Sequence, residues 1–120
     1  MTTVFSPILL ALRARLPEVV GAAFVASDGE LVDHSADDGV DLPALAAHQG
    51  VVLSWTARAC TALTLGEPTS LQLAHTHGDV LLHAVTDGYF LVLLLRGRPP
   101  AGLALLVARE AAYALAAELG

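Results

Sequence analysis

Residues 42–65 read LPALAAHQGVVLSWTARACTALTL, and the helical period of this stretch decides the architecture. At 100° per residue, Leu42, Leu45, Ala46, Val52, Leu53, Cys60 and Leu63 fall on one stripe, while Ala44, Ala47, Val51, Trp55, Ala62 and Leu65 fall on the opposite side. A helix apolar on two sides needs two partners, and a chain of 120 residues supplies one core. One stripe is therefore assigned to the chain's own sheet and the other to a second protein. Asp41 precedes the helix as its N-cap, Asp37 and Asp38 sit near its positive end, and Gly66 and Pro68 end it.

Toward the N-terminus, Ser6-Pro7 starts a short helix. Phe5 and Leu10 are spaced as a hydrophobic staple, Leu9, Leu12 and Leu16 point inward, and Pro17 stops the helix. Residues 19–26 and 30–35 form a hairpin around Asp28-Gly29, the more polar second strand lying at a sheet edge. Toward the C-terminus, residues 69–75, 80–86 and 89–95 are three strands of a meander, with turns expected at Gly78-Asp79 and Asp87-Gly88. The run FLVLLL at 90–95 is apolar without alternation, so this strand is central and covered on both faces. Beyond Pro99 and Pro100, Ala104, Leu105, Ala108, Ala111, Ala112, Leu115 and Leu119 line the inner face of a last helix, with Glu110 and Glu118 off it. The order is αββαβββα in a single domain, 1–120.

Composition narrows the function classes. The chain is 55% hydrophobic and 15% charged, which again points to surface hidden in an interface. Its longest uncharged stretch, the 16 residues 42–57, is too short to span a bilayer. The apolar run 8–12 has no basic region before it and ends at Arg13 and Arg15, so no secretory signal is expected and a cytoplasmic location is. Six arginines face twelve acids, lysine is absent, and no stretch gathers enough positive charge to track phosphates, which argues against nucleic acid as a partner. Cys60, the single cysteine, reads as an ordinary helix thiol with no base beside it.

Chemistry-bearing motifs are few. A phosphate-binding loop of the GxxxxGK[ST] type is impossible without lysine, and GxSxG, HExxH and CxxC are missing. His75, His77, His83 and Asp79 surround one hairpin turn, and alternation puts His75 and His77 on one face. A two-residue Gly78-Asp79 turn pairs His83 with Ala74 on the other face, whereas a three-residue loop would bring it to theirs. No metal site is expected there, nor at Asp37, Asp38 and Asp41, whose spacing is wrong for a calcium loop. His34 and His48 stand alone. No catalytic or cofactor-binding residues are expected. Trp55 on the second stripe reads as an interface residue and Arg58 beside it as a rim contact.

Pro17-Glu18-Val19-Val20-Gly21-Ala22 followed by Ser27-Asp28-Gly29-Glu30-Leu31 resembles the opening hairpin of the Roadblock/LC7 family, and Gly102-Leu103-Ala104 resembles the start of its final helix. The element order agrees over nearly the whole chain. Where the family often carries a basic residue after the Gly-Leu-Ala step, this chain has Leu105. The resemblance implies a roadblock/profilin-like α+β fold: a five-stranded antiparallel sheet with the long middle helix on one face and the terminal helices on the other. It implies dimers paired through middle helices and third strands, here through Ala44, His48, Val51, Trp55, Arg58, Ala62, Leu71 and Leu73. It also implies a non-enzymatic scaffold or regulator of a small Ras-like GTPase, the family including a bacterial GTPase-activating protein and dynein light chains. The Ala, Leu and Arg bias without lysine suggests a GC-rich bacterial genome and favours the GTPase branch over a motor adaptor. A small-ligand-sensing or signalling module is the alternative.

Overall fold

The computed structural model describes residues 3–100 and 102–120. They form α1 (Ser6–Arg15), β1 (Val19–Val25), β2 (Leu31–Ala36), α2 (Leu42–Ala62), β3 (Ser70–His75), β4 (Gly78–Ala84), β5 (Phe90–Leu95) and α3 (Leu103–Leu119). The strands make one antiparallel sheet in the order β2-β1-β5-β4-β3. Pairing of β1 with β5 joins the hairpin to the meander, placing β5 at the centre with β2 and β3 at the edges.

Two cores sandwich the sheet. On one face Leu9, Leu12, Ala108, Val107 and Leu115 of α1 and α3 pack on Phe24, Leu81, Leu91, Leu93 and Leu95. On the other, Leu42 and Ala46 of α2 pack on Ala23, Val25, Val80, Leu82 and Val92. The alternation along β5 thus feeds both cores, which is why residues 90–95 carry no polar position. Gly21 lets α2 begin close against β1, since a Cβ there would lie 3.0 Å from Leu42 Cδ2. Arg15 pairs with Glu110 to tie α1 to α3, and Arg13 pairs with Asp37 beyond β2.

Four local expectations are corrected. The long helix ends at Ala62, not Leu65: Thr64 takes the left-handed position (φ 56°), with Thr64 N–H donating to Thr61 O (3.1 Å) and Leu65 N–H to Cys60 O (2.8 Å). This is a Schellman closure made two residues ahead of the glycine expected to supply it. The staple at the first helix does not form. Phe5 instead stacks on Phe24 at 4.9 Å while Leu10 is exposed, and the Ser6 hydroxyl donates to Asp33 (2.6 Å) instead of capping the helix. Leu105 is exposed on the flank of α3, not inward. The β3–β4 turn is Thr76-His77, because His75 pairs with Gly78. Gly78 serves close approach instead: a Cβ there would lie 2.7 Å from the Leu95 carbonyl oxygen of the neighbouring strand.

Candidate partner interface

Asp41 caps α2 through a hydrogen bond from the Ala44 amide (3.1 Å), and the helix then runs along the strands of one sheet face. Leu42 and Ala46 are buried against the sheet; Leu45, Val52, Leu53 and Cys60 of the same stripe are half-buried. All six residues of the second stripe, Ala44, Ala47, Val51, Trp55, Ala62 and Leu65, are exposed. Val51 is 58% and Trp55 64% exposed, and Leu63 and Leu65 just beyond the helix reach 67% and 70%. The Arg58 guanidinium lies over the Trp55 ring, 4.8 Å from its centroid. His48 is exposed one turn earlier on the flank that faces β3.

The sheet offers a matching surface. β3 is an edge strand, and its Leu71 and Leu73 are half-buried on the face that carries α2, while Ser70, Gln72 and Ala74 point the other way into solvent. The eight expected interface residues therefore lie on one side of the molecule. The chain exposes 6,899 Å², about 800 Å² more than the roughly 6,100 Å² of a compact monomer of this size.

One residue of α2 was missed. Gln49 is 3% exposed and its Oε1 has no hydrogen-bond partner. It lines, with His48, Leu45, Val80 and Leu94, a cleft of about 750 Å³ between α2 and the β3–β4 turn. Its position seven after Leu42 and three after Ala46 places it on the first stripe, so the signal was a polar residue at a helical core position.

The histidines do not converge. His83 pairs with Ser70 on the α3 side of the sheet, because Leu81 two residues before it belongs to that core, whereas His75 shares the face of Leu71 and Leu73. His77 is in the turn. The rings of His75 and His83 lie against backbone carbonyl oxygens of Leu73 (3.1 Å) and Ala84 (2.8 Å). Among the described residues no group of three ligating side chains has metal-site geometry, and no helix is long and apolar enough to cross a membrane. The cluster with a shifted acidity is Asp33. Burial would raise its carboxyl, but hydroxyl hydrogen bonds from Ser6 and Thr3, the His34 amide and the nearby His34 ring hold it below the ordinary value of 3.8.

No family model matches the sequence, and no curated protein matches it either. Solved structures do. Myxococcus xanthus MglB superposes with a TM-score of 0.89 at 15% identity, over 98% of this chain and 95% of that one. A Roadblock/LC7 domain from Streptomyces avermitilis gives 0.86 at 15% identity, over 93% and 94%. An MglB structure described as having a tetrameric arrangement gives 0.87 at 17% identity, over 98% and 91%.

Proposed function

We propose that this chain, which has the Roadblock/LC7 fold, is a non-catalytic regulator that pairs with a second copy of itself and presents the paired helices to a small Ras-like GTPase. The observation that carries the reading is the apolar second stripe of α2, fully exposed in the protomer and centred on Val51 and Trp55. A surface of this kind is covered in a working protein. The first step is pairing through Ala44, His48, Val51, Trp55, Arg58 and Ala62 of α2 together with Leu71 and Leu73 of β3. A twofold axis there sets α2 beside its copy and puts the polar residues His48 and Arg58 at the rim of a shallow platform.

A symmetric platform facing an asymmetric GTPase offers one productive pose at a time, so one GTPase per dimer is expected. The chain itself lacks a phosphate-binding loop, and the described residues hold no Ser–His or Cys–His hydrogen bond that would arm a nucleophile. Its contribution to hydrolysis is to order the partner's switch segments, not to supply reacting groups. Cytoplasmic location in a bacterium accords with this role.

The test is calorimetry of the purified chain with a Ras-like GTPase from the same genome, loaded with either nucleotide. Binding with a stoichiometry of one GTPase per two chains supports the reading. Absence of binding in both nucleotide states removes the GTPase from it.

A further inference from the structure

The sheet face opposite α2 is only partly roofed. α1 rests on β1 and β2, and α3 on β4 and β5, so β3 and the outer side of β4 stay open and form a cleft of about 610 Å³ against the flank of α3. Leu105, Arg109 and Tyr113, each four residues after the last, make its helical wall. Ser70 and His83, directly opposite each other in the β3–β4 ladder, lie on its strand side.

Among the described residues Arg109 is the one charged side chain of this cleft, with the hydroxyls of Thr69, Ser70, Thr86 and Tyr113 around it. No carboxylate lines it, although the chain carries a net charge of −6. Arg13 and Arg15 are paired with acids, while Arg109 has no carboxylate partner among the described residues. The Ala84 carbonyl can only accept, so His83 Nδ1, 2.8 Å from it, carries the proton, and Nε2 presents a lone pair that becomes a donor only when the ring takes a second proton. Beside these groups the surface is apolar: Tyr113 is 74% exposed at the lip and Leu105 36%.

We propose that this cleft binds a small organic anion, with its carboxylate or phosphate head at the Arg109 guanidinium and the Ser70 hydroxyl and its apolar body between Leu105 and Tyr113. A guanidinium offers such a head a fork of two N–H donors. A cation would find no countercharge in the cleft, and a purely apolar ligand would leave the Arg109 head uncompensated on burial. The volume lies within the range of small-molecule sites, about 300–1,000 Å³. The cleft opens on the other face of the sheet from the α2 stripe, although it shares the edge strand β3, through Ser70, with the pairing surface proposed above.

Phenyl phosphate is the probe, with phenol and inorganic phosphate as its two halves, titrated into the isotopically labelled full chain and read by NMR. Saturable shifts at Ser70, His83, Arg109 and Tyr113 are expected with phenyl phosphate, with either half binding at least about tenfold more weakly. Arg109 is exposed and unpaired, so Arg109→Gln keeps the fold, checked by an otherwise unchanged spectrum, and weakens phenyl phosphate about tenfold or more. The proposal is overturned by phenol matching phenyl phosphate, by inorganic phosphate matching it, by Arg109→Gln binding as tightly as the parent, or by no saturation up to about 10 mM.

Discussion

Replacing Trp55 with aspartate separates pairing from folding. In the protomer the ring is 64% exposed and its polar neighbour is Arg58, 4.8 Å from the centroid. Loss of that exposed cation–π contact costs the fold about 0.5–1 kcal/mol, so the variant protomer should fold. Pairing is another matter. A tryptophan presents up to about 250 Å², so about 160 Å² of this ring is left for a partner to cover, worth about 4 kcal/mol per copy at ~25 cal/mol/Å². Ordering and imperfect packing reduce this, and a central interface tryptophan commonly carries ~2 kcal/mol or more on truncation. Twofold symmetry counts the loss twice, giving about 4 kcal/mol and a dissociation constant weakened about a thousandfold before the buried carboxylates add their own penalty.

Two measurements read the result. Light scattering across a concentration series gives the mass of parent and variant. Trp55 is the only tryptophan, so the parent's emission reports this one site and should move to the red on dilution as the pair separates. The parent's melting temperature should rise with concentration and that of Trp55→Asp should not. The reasoning fails if Trp55→Asp remains a dimer of unchanged affinity, or if the parent is monomeric at micromolar concentration with the emission of a water-exposed indole.

Other substitutions probe separate elements. Asp33 stabilises the fold fully above the ordinary carboxylate value of 3.8 and loses that contribution as pH falls through its depressed folded value; Asp33→Asn should therefore be less stable at neutral pH and converge with the parent in acid, as followed by circular dichroism. Thr64 is a β-branched residue at φ 56°, so Thr64→Gly should raise stability by about 1 kcal/mol in urea unfolding, and destabilisation would mean that Thr64 contributes something its backbone geometry does not reveal. The Arg58 head lies against Trp55 at the centre of the exposed stripe, so in single-turnover assays Arg58→Ala should reduce any stimulated GTP hydrolysis by less than about tenfold; a loss of about a thousandfold would make Arg58 a catalytic finger.

The fold was legible where local chemistry and long-range packing agree. The apolar run at 90–95 required a central strand covered on both faces, and β5 is that strand. The two-sided apolar pattern of residues 42–65 required one face on the sheet and one left over, which is how α2 sits as far as Ala62, whereas Leu63, assigned to the sheet stripe, lies beyond the helix and is 67% exposed. Misreadings came where one residue type serves two purposes. Glycine marks turns, but Gly78 is in β4 because β5's backbone leaves no room for a Cβ, and Gly66 follows a helix end already closed at Thr64. The turn error moved the β3–β4 register by four in the sum of paired positions. Because that number is even, the side chains of β3 and β4 kept their predicted faces and His83 still lies away from His75, while His77, expected on the face of His75, is in the turn.

The exposed apolar face of α2 was legible for a different reason, since exposure of large apolar side chains can be deduced from a surplus stripe without knowing what covers it. Gln49 was not, because its polarity hid a core position. Burial at 3% exposure with Oε1 unbonded costs on the order of 1–3 kcal/mol while no donor reaches it. That acceptor sits on the flank of α2 beside His48, facing the part of the sheet that α2 does not roof. An apolar stripe left bare and an amide left unsatisfied on the same helix are independent deficits, one of hydrophobic burial and one of hydrogen bonding. A second protein laid along α2 covers Val51 and Trp55, but Gln49 faces the sheet side of the helix with its Oε1 out of reach, so the stripe calls for a partner and the amide for a donor from within the cleft between α2 and the β3–β4 turn.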